Sequence, residues 1–391
     1  MTWEQLSKKL RAIQDEGRYR SLREIQSPSG RLLIHQDHEY LNFSSNNYLG
    51  LADDPRLREA MARGVEQYGV GAGASRLITG SMEPWHQLEE ELARFKGTEA
   101  ALVFNSGYQA NVGVLGSLLD ENSVVFSDEL NHASLIDGIR LSRATRVIYP
   151  HNDMEELRQL IRKQKLLKKN SQIWVVSESV FSMDGDLCAL GDLLDLIWEE
   201  GARLYLDEAH ATGVFGETGA GLAEDFRDHP AWPGHLVQMG TLGKALGCFG
   251  AYIAGPRVLI DFLINRCRTF IFATALPPAL ACAALEALRI LAERGYRRDS
   301  LWQRLEFFQQ ETKSAWQEKA PTVVSPIVPV VVGEEARAVA LSEALAERGF
   351  WVNAIRPPTV APGTSRLRIT LMATHTEEDI RGLIEAIKPF P

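Results

Sequence analysis

Lys244 lies in the segment Thr241-Leu242-Gly243-Lys244-Ala245-Leu246-Gly247, downstream of an apolar run that ends Leu204-Tyr205-Leu206-Asp207-Glu208-Ala209-His210. A lysine boxed in by glycines suits neither a helix interior nor a surface ion pair. It suits covalent chemistry. An amine becomes nucleophilic when a tight, partly desolvated site lowers its pKa, and it can then form a Schiff base. An Asp at the carboxyl end of a buried strand complements such a lysine, because its carboxylate keeps a pyridine nitrogen protonated and lets the ring take electrons from a carbanion. A buried Asp in turn needs a cationic partner, which a protonated pyridine supplies. His210, three residues on, can hydrogen-bond the ring oxygen of the same group. Taken alone, a Gly-Lys pair reads as a surface turn; with Asp207 and His210 it reads as a site for pyridoxal 5'-phosphate (PLP).

Other segments could serve the same group, and each has a plainer reading beside the functional one. Ser106-Gly107-Tyr108 follows an apolar run and opens a helix pattern, so its free amides could bind phosphate and Tyr108 could cap a ring edge. An ordinary strand-to-helix turn has the same composition. Gly71-Ala72-Gly73-Ala74-Ser75-Arg76 lacks the spacing of a dinucleotide fingerprint and reads as a tight loop. His132 starts a helix just after the strand SVVFSD, where an imidazole could stack on an aromatic cofactor or simply cap the helix. Ser182 sits in Phe181-Ser182-Met183-Asp184-Gly185-Asp186, a loop of turn residues after another strand. Arg366 and Arg368 alternate on one strand and so point the same way. One of them could clamp a carboxylate in a bidentate pair, or both could lie on an exposed strand face.

These residues need a scaffold that gathers strand ends. Between about 46 and 285, the apolar runs AALVFN, SVVFSD, RVIYP, IWVVSES, RLYLDEA, LVQMGT and GAYIAG alternate with helix patterns. The alternation predicts an α/β fold with a mostly parallel sheet covered on both faces, whose ligands collect at the carboxyl ends of the strands. Asn105-Ser106-Gly107, Ser127-Asp128, Ser177-Glu178, Asp207 and Gly240-Thr241 fall at those ends. Residues 1–45 read as an arm of one helix and two short strands, RLLIH and YLNF. Residues 286–391 read as a small α+β domain, entered through helix patterns at about 278–295 and 296–318 and containing the strands IVPVVVG, WVNAI and RLRITL.

The 391 residues are 45% apolar and 24% charged, the balance of an ordinary globular protein. A net charge of −9 and a pI near 5.6 argue against nucleic acid or an anionic membrane as the main partner. The basic run from Arg162 to Lys169 reads as a solvated helix face. Cys188, Cys248, Cys267 and Cys282 form no C-x-x-C pair and no metal-like spacing with histidine, so reduced thiols in a cytoplasmic enzyme without a metal are expected. Cys248 lies near Lys244 in sequence and is expected to pack. Neither a signal peptide nor a membrane span is expected.

The chain resembles the α-oxoamine synthases, a PLP-dependent family of the type I, aspartate-aminotransferase fold. The resemblance is carried in order along nearly the whole chain by LNFSSNNYLGL, GAGASRLITG, FNSGYQAN, NHASLIDG, SVFSMDGD, LDEAHATGVFG, TLGKALG, RTFIFATALPP and AIRPPTVAPGTSRLRIT. It implies that Lys244 is the Schiff-base lysine and that Asp207 serves the pyridine nitrogen. His132 would stack on the ring, with His210 and Ser182 near the ring oxygen. Gly107, Tyr108 and Thr241 would cradle the phosphate, joined by Thr274 from the neighbouring subunit of a homodimer with shared sites. Arg20, Asn47, His132, Thr359 and Arg368 would contact substrate. The implied reaction is decarboxylative condensation of an amino acid with an acyl thioester. AIRPPTVAPGTSRLR and LINRCRTFIFATALPP resemble the members that serve biotin synthesis, so L-alanine and a pimeloyl thioester on CoA or an acyl-carrier protein are the expected substrates. Within the family, glycine C-acetyltransferase and 5-aminolevulinate synthase are the alternatives. A non-catalytic regulator or scaffold of the same fold is an alternative of another class, and the intact Lys244 and Asp207 count against it.

Overall fold

The computed structural model describes residues 1–168, 170–232, 234–293 and 296–387. The chain folds as two compact units, residues 1–50 with 183–185 and 299–391, and residues 51–182 with 186–298. In the first unit, β1 (Leu32–His35) and β2 (His38–Asn42) form an antiparallel hairpin. Gln36 and Asp37 turn it with φ of 50° and 60°, the left-handed pair that a two-residue hairpin loop requires.

The second unit is built on a seven-stranded sheet. Its strands are β3 (Ala100–Phe104), β4 (Ser123–Asp128), β5 (Thr145–Tyr149), β6 (Gln172–Glu178), β7 (Arg203–Asp207), β8 (Leu236–Thr241) and β9 (Ala251–Gly255). They lie in the order β3-β9-β8-β7-β6-β4-β5. β9 runs antiparallel to both neighbours, and the other pairings are parallel. Along β6, Trp174 and Val176 enter one core cluster while Ile173 and Val175 enter another. Tyr205 of β7 goes with the first set, and Leu204 and Leu206 with the second. The period of two therefore feeds two cores, one on each face, and β6 and β7 read as nearly continuous apolar runs because neither of their faces meets water, whereas the edge strand β5 is largely exposed.

Some helices in this unit start where the sequence supplies a side-chain cap. Asp54 accepts the N–H of Arg56 at 2.9 Å ahead of the helix Pro55–Tyr68. Asp153 accepts that of Glu156 at 2.9 Å ahead of Met154–Leu167. Each such bond satisfies a donor that the helix leaves open. Arg162 and Lys165, from the basic run, turn to Glu200; Lys169 lies outside the described residues. The helix Pro278–Ala292 is followed by Tyr296–Trp316, and residues 294–295 of the expected helix pattern lie outside the described residues.

The first unit is completed by β10 (Ile327–Gly333), β11 (Phe350–Trp351), β12 (Asn353–Ile355) and β13 (Ser365–Thr370). β10, β13 and β12 form an antiparallel sheet with β13 at its centre. The run WVNAI, expected as one strand, divides at Val352. Phe350 and Trp351 pair in parallel with Leu41 and Asn42, whereas Asn353–Ile355 pair with β13. Val352 is buried between them, and its carbonyl accepts the Ser342 hydroxyl. Among the described residues, no helix is long and apolar enough to cross a membrane, and no group of three or more His, Cys, Asp or Glu could hold a metal.

Candidate active site

Lys244 stands in the loop after β8. The loop closes on itself through bonds from the N–H of Cys248 to Leu242 O at 2.8 Å and from the N–H of Gly247 to Lys244 O at 2.9 Å. Gly247 holds φ at 67°, and a Cβ there would lie 2.4 Å from the backbone nitrogen of Ala52. Only glycine makes that turn. Lys244 Nζ lies 2.8 Å from His210 Nε2. One hydrogen lies in that contact, donated either by the amine or by the ring N–H. The Cys248 thiol beside this loop is pushed up to about 12 by burial, which makes it a packing group.

Asp207 ends β7 and is buried. Its Oδ1 accepts the N–H of Ala209 at 2.9 Å and its Oδ2 the Nδ2–H of Asn111 at 2.8 Å. Asn111 sits on the inner side of the helix Gly107–Leu118, where its Oδ1 also accepts the Tyr205 hydroxyl at 2.8 Å. Beside Asp207 in register stands Glu178, the last residue of β6. Glu178 Oε1 accepts the N–H of His132 at 2.6 Å, anchoring the turn that carries the imidazole. Burial, with Asp207 adding to it, pushes the Glu178 carboxyl well above the usual carboxylate range. His132 caps the helix Ala133–Leu141, with Nδ1 2.8 Å from Ser134 Oγ. Although solvent reaches the residue, loss of hydration pushes its imidazole below the ordinary value, with Asp207 opposing and Lys244 assisting. A neutral, flat ring is the result.

At the end of β3, Ser106 caps the helix Gly107–Leu118 by accepting the Gln109 N–H at 3.3 Å. A Cβ on Gly107 would come within 3.0 Å of Thr241 Cγ2 and 3.3 Å of Met239 Cε. This helix start is therefore a cradle of backbone donors that a larger residue would fill. The Tyr108 hydroxyl donates to Asp137 Oδ2 at 2.6 Å, which sets its ring, and Thr241 Oγ1 donates to Ala209 O at 3.3 Å. Thr274 is exposed; its carbonyl accepts from Asn105 Nδ2 at 2.8 Å. Ser182 is half-buried in the turn that closes through Phe181 N–H to Asp186 O at 3.0 Å. His151 pins Asp186 with Nε2 at 2.6 Å and holds Asp128 with Nδ1 at 3.0 Å. Beneath the Asp207–His210 turn, Lys96 and Glu208 form a buried ion pair.

Arg20, Asn47, Thr359 and Arg368 all belong to the first unit, and the other expected site residues to the second. Arg20 Nη2 donates to Thr359 Oγ1 at 3.3 Å, so these two expected substrate residues meet. Asn47 is buried, its Nδ2 donating to Ser29 O at 3.0 Å. Arg366 and Arg368 are both buried on β13, so an exposed strand face is ruled out. Their partners separate them. Arg366 pairs with Asp184 and donates to Thr364 O at 3.0 Å, whereas Arg368 Nη1 donates to Asn46 Oδ1 at 3.2 Å and only partly offsets the burial that raises the Tyr48 hydroxyl's pKa.

Sequence reasoning assigned no role to Asn111, Ser134, Glu178, Lys96 or Glu208. The available signal was position: Asn111 falls one helical turn after Gly107, and Glu178 falls at a strand end beside that of Asp207.

The family model for class I and II aminotransferases matches residues 38–387. The 8-amino-7-oxononanoate synthase of Geobacter sulfurreducens is 48% identical over 381 residues, which cover 97% of this chain and 95% of that protein. The protein of the same name from Thermoanaerobacter pseudethanolicus is 43% identical over 384 residues, covering 98% and 95%. Among solved structures, a serine palmitoyltransferase from S. paucimobilis with a bound PLP–myriocin aldimine superposes with a TM-score of 0.90 at 27% identity, covering 99% of this chain and 96% of that one. An 8-amino-7-oxononanoate synthase from Francisella tularensis does so with a TM-score of 0.75 at 29% identity, covering 90% and 97%. The chain belongs to the class I and II aminotransferase family and, within it, to the 8-amino-7-oxononanoate synthases.

Proposed function

We propose that this chain is a PLP-dependent acyltransferase of biotin synthesis. It condenses L-alanine with a pimeloyl thioester, on CoA or an acyl-carrier protein, to give 8-amino-7-oxononanoate, CO2 and the free thiol. The observation that carries the reading is Lys244 Nζ at 2.8 Å from His210 in a chain 48% identical over 381 residues to a synthase of that name. The residues fit the cofactor. Gly107 leaves room for a phosphate at a helix start, His132 offers an uncharged ring, and Asp207 keeps a carboxylate at a strand end. When bound, the cofactor supplies an electron sink for the bond broken at the amino acid's Cα.

This chain's own groups do the rest. Asp207, oriented by Asn111 and the Ala209 N–H, holds the proton of the pyridine nitrogen. Lys244 Nζ anchors the cofactor, then takes the Cα proton of alanine and later returns one, with His210 sharing its proton through the 2.8 Å contact. His210 and Ser182 serve the ring oxygen; Gly107, Tyr108 and Thr241 hold the phosphate. Arg368 binds the alanine carboxylate, while Arg20, Asn47 and Thr359 serve the acyl donor. The 3.3 Å bond between Arg20 and Thr359 supports placing these two in one role. Val70, Ile78, Phe249 and Phe272 are large apolar side chains exposed on the second unit, which supports a homodimer with Thr274 given to the neighbouring site. The enzyme acts in the cytoplasm.

The test is kcat/KM for three substrate pairs on PLP-loaded protein, with Lys244→Ala beside it. Pimeloyl thioester with L-alanine should far exceed acetyl-CoA or succinyl-CoA with glycine. Lys244→Ala should lose both turnover and the borohydride-reducible lysine adduct. A faster glycine pair would overturn the substrate assignment, and a surviving adduct would overturn the assignment of Lys244.

A further inference from the structure

We propose that Asn111 and Ser134 are positioning residues, which fix His132 as the tautomer carrying its proton on Nε2 through a chain of directed hydrogen bonds that starts at Asp207. The direction of each link follows from the one before it. An ionised Asp207 only accepts, so the Asn111 atom 2.8 Å from its Oδ2 must be the amide nitrogen. Asn111 Nδ2 then spends its second hydrogen on Ser134 Oγ at 2.9 Å, and its Oδ1 takes the Tyr205 hydroxyl at 2.8 Å. Every hydrogen-bonding group of this buried amide is then engaged. Turning it over would set a carbonyl against the Asp207 carboxylate. With a lone pair of Ser134 Oγ occupied by Asn111, its own hydrogen is free to point along the 2.8 Å contact to His132 Nδ1.

A second donor removes the alternative. The backbone N–H of Ser134 also points at Nδ1, at 3.2 Å, and a backbone amide cannot reverse its role. Hydrogen on Nδ1 would face that N–H. Nδ1 is therefore an acceptor, and the neutral ring carries its proton on Nε2, the nitrogen remote from Ser134. Protonating the ring would set Nδ1–H against the Ser134 N–H and oblige the Ser134 hydroxyl to turn over, which agrees with an imidazole held below its ordinary pKa. The relay itself depends on protein atoms alone. Its use rests on the proposed function: the Nε2–H would be a fixed donor for an acceptor oxygen of the substrate, and the ring would offer the cofactor an uncharged face.

The test is long-range proton–nitrogen correlation spectroscopy on full-length, PLP-loaded protein labelled with 15N-histidine, His132 being identified by its loss in His132→Gln. Wild type should show Nδ1 unprotonated and Nε2 protonated at pH 7. Asp207, Glu178 and Lys244, the charged or titratable groups that act on His132, stay unchanged in the relay variants. Ser134→Ala should draw the two nitrogen signals toward each other and raise the His132 pKa by roughly half to one unit. Asn111→Ala should move the same signals in the same direction, although Asn111 does not bond His132, and Ser134→Thr should restore the wild-type pattern. A proton on Nδ1 in wild type overturns the proposal, as do unmoved signals in Ser134→Ala. If Asn111→Ala does not fold, the Ala and Thr variants of Ser134 decide. Borohydride reduction of Lys244 is read on the same samples, so an absent adduct beside an intact nitrogen pattern would count against the functional reading and for the relay.

Discussion

Replacing Lys96 by Met tests whether the ion pair beneath the Asp207–His210 turn carries the second unit. Lys96 and Glu208 are 1% and 0% exposed. The ammonium reaches both Glu208 and the carbonyl of Ala220. Burial works against that charge, but Glu208 and its neighbours outweigh the penalty and raise the lysine's pKa. Lys96→Met therefore strands the Glu208 carboxylate where water does not reach, with the Ala223 N–H still bound to it at 2.9 Å. Removing one partner of a buried pair costs about 3–5 kcal/mol. For a unit of this size each kcal/mol moves Tm by about 2–4 °C, so a fall of roughly 6–20 °C is expected. Lys96→Met combined with Glu208→Gln removes the stranded charge as well as its partner and should recover at least half of that loss. The assay is scanning calorimetry of PLP-loaded protein at fixed cofactor and protein concentration, since both shift the apparent Tm. A fall within about 2 °C for the single variant, or a double variant no better than the single, would refute the reasoning.

Asp207→Asn should keep the cofactor bound yet lower the rate about 10²-fold or more, because an amide cannot hold the pyridine proton; near-normal turnover would move that role elsewhere. Arg368→Ala should raise KM for alanine about tenfold or more with a smaller change in kcat, whereas Arg366→Ala, which leaves Asp184 without its partner, should cost stability first; the reverse pattern in steady-state kinetics and melting would exchange their roles. His151 bridges two carboxylates through both ring nitrogens; burial opposes its charge, but Asp128 and Asp186 prevail and raise its pKa from 6.5 to about 10. A raised folded-state pKa gives stability that is full below about pH 6.5 and lost as pH rises through about 10. The Tm gap between wild type and His151→Gln should hold below pH 6.5 and close near pH 10; closure by pH 7 would falsify the bridge.

The strands were legible because each is a short apolar run bounded by turn residues, and Lys244 and Asp207 stand out in the sequence because together their surroundings suit covalent cofactor chemistry. The supporting polar groups were not. Asn111 lies in a largely apolar helix and Ser134 in a helix's first turn, where either passes for ordinary composition until the fold brings Asp207 and His132 beside them. Lys96 reads as a cation suited to a helix C-terminus, and its partner stands 112 residues away. Alternation put Arg366 and Arg368 on one side of their strand but could not divide their work, because Asp184 and Asn46 come from remote segments. Val352 broke an expected strand because its two halves answer to different sheets, a choice that local pattern does not encode.

The pairing of β2 with Phe350–Trp351 has a consequence for the order of events during synthesis. The hairpin is among the first segments made, yet its parallel neighbour follows it by about 310 residues, a wait on the order of 15–60 s at ordinary elongation rates. Residues 51–298, with the short exception of 183–185, form a unit whose contacts can close before the last part of the chain exists. For that interval β2 is an open edge, with unpaired backbone donors and acceptors. Substitutions that slow formation of the Phe350–Trp351 strand should therefore act on yield and aggregation during expression before they act on the melting of the finished protein.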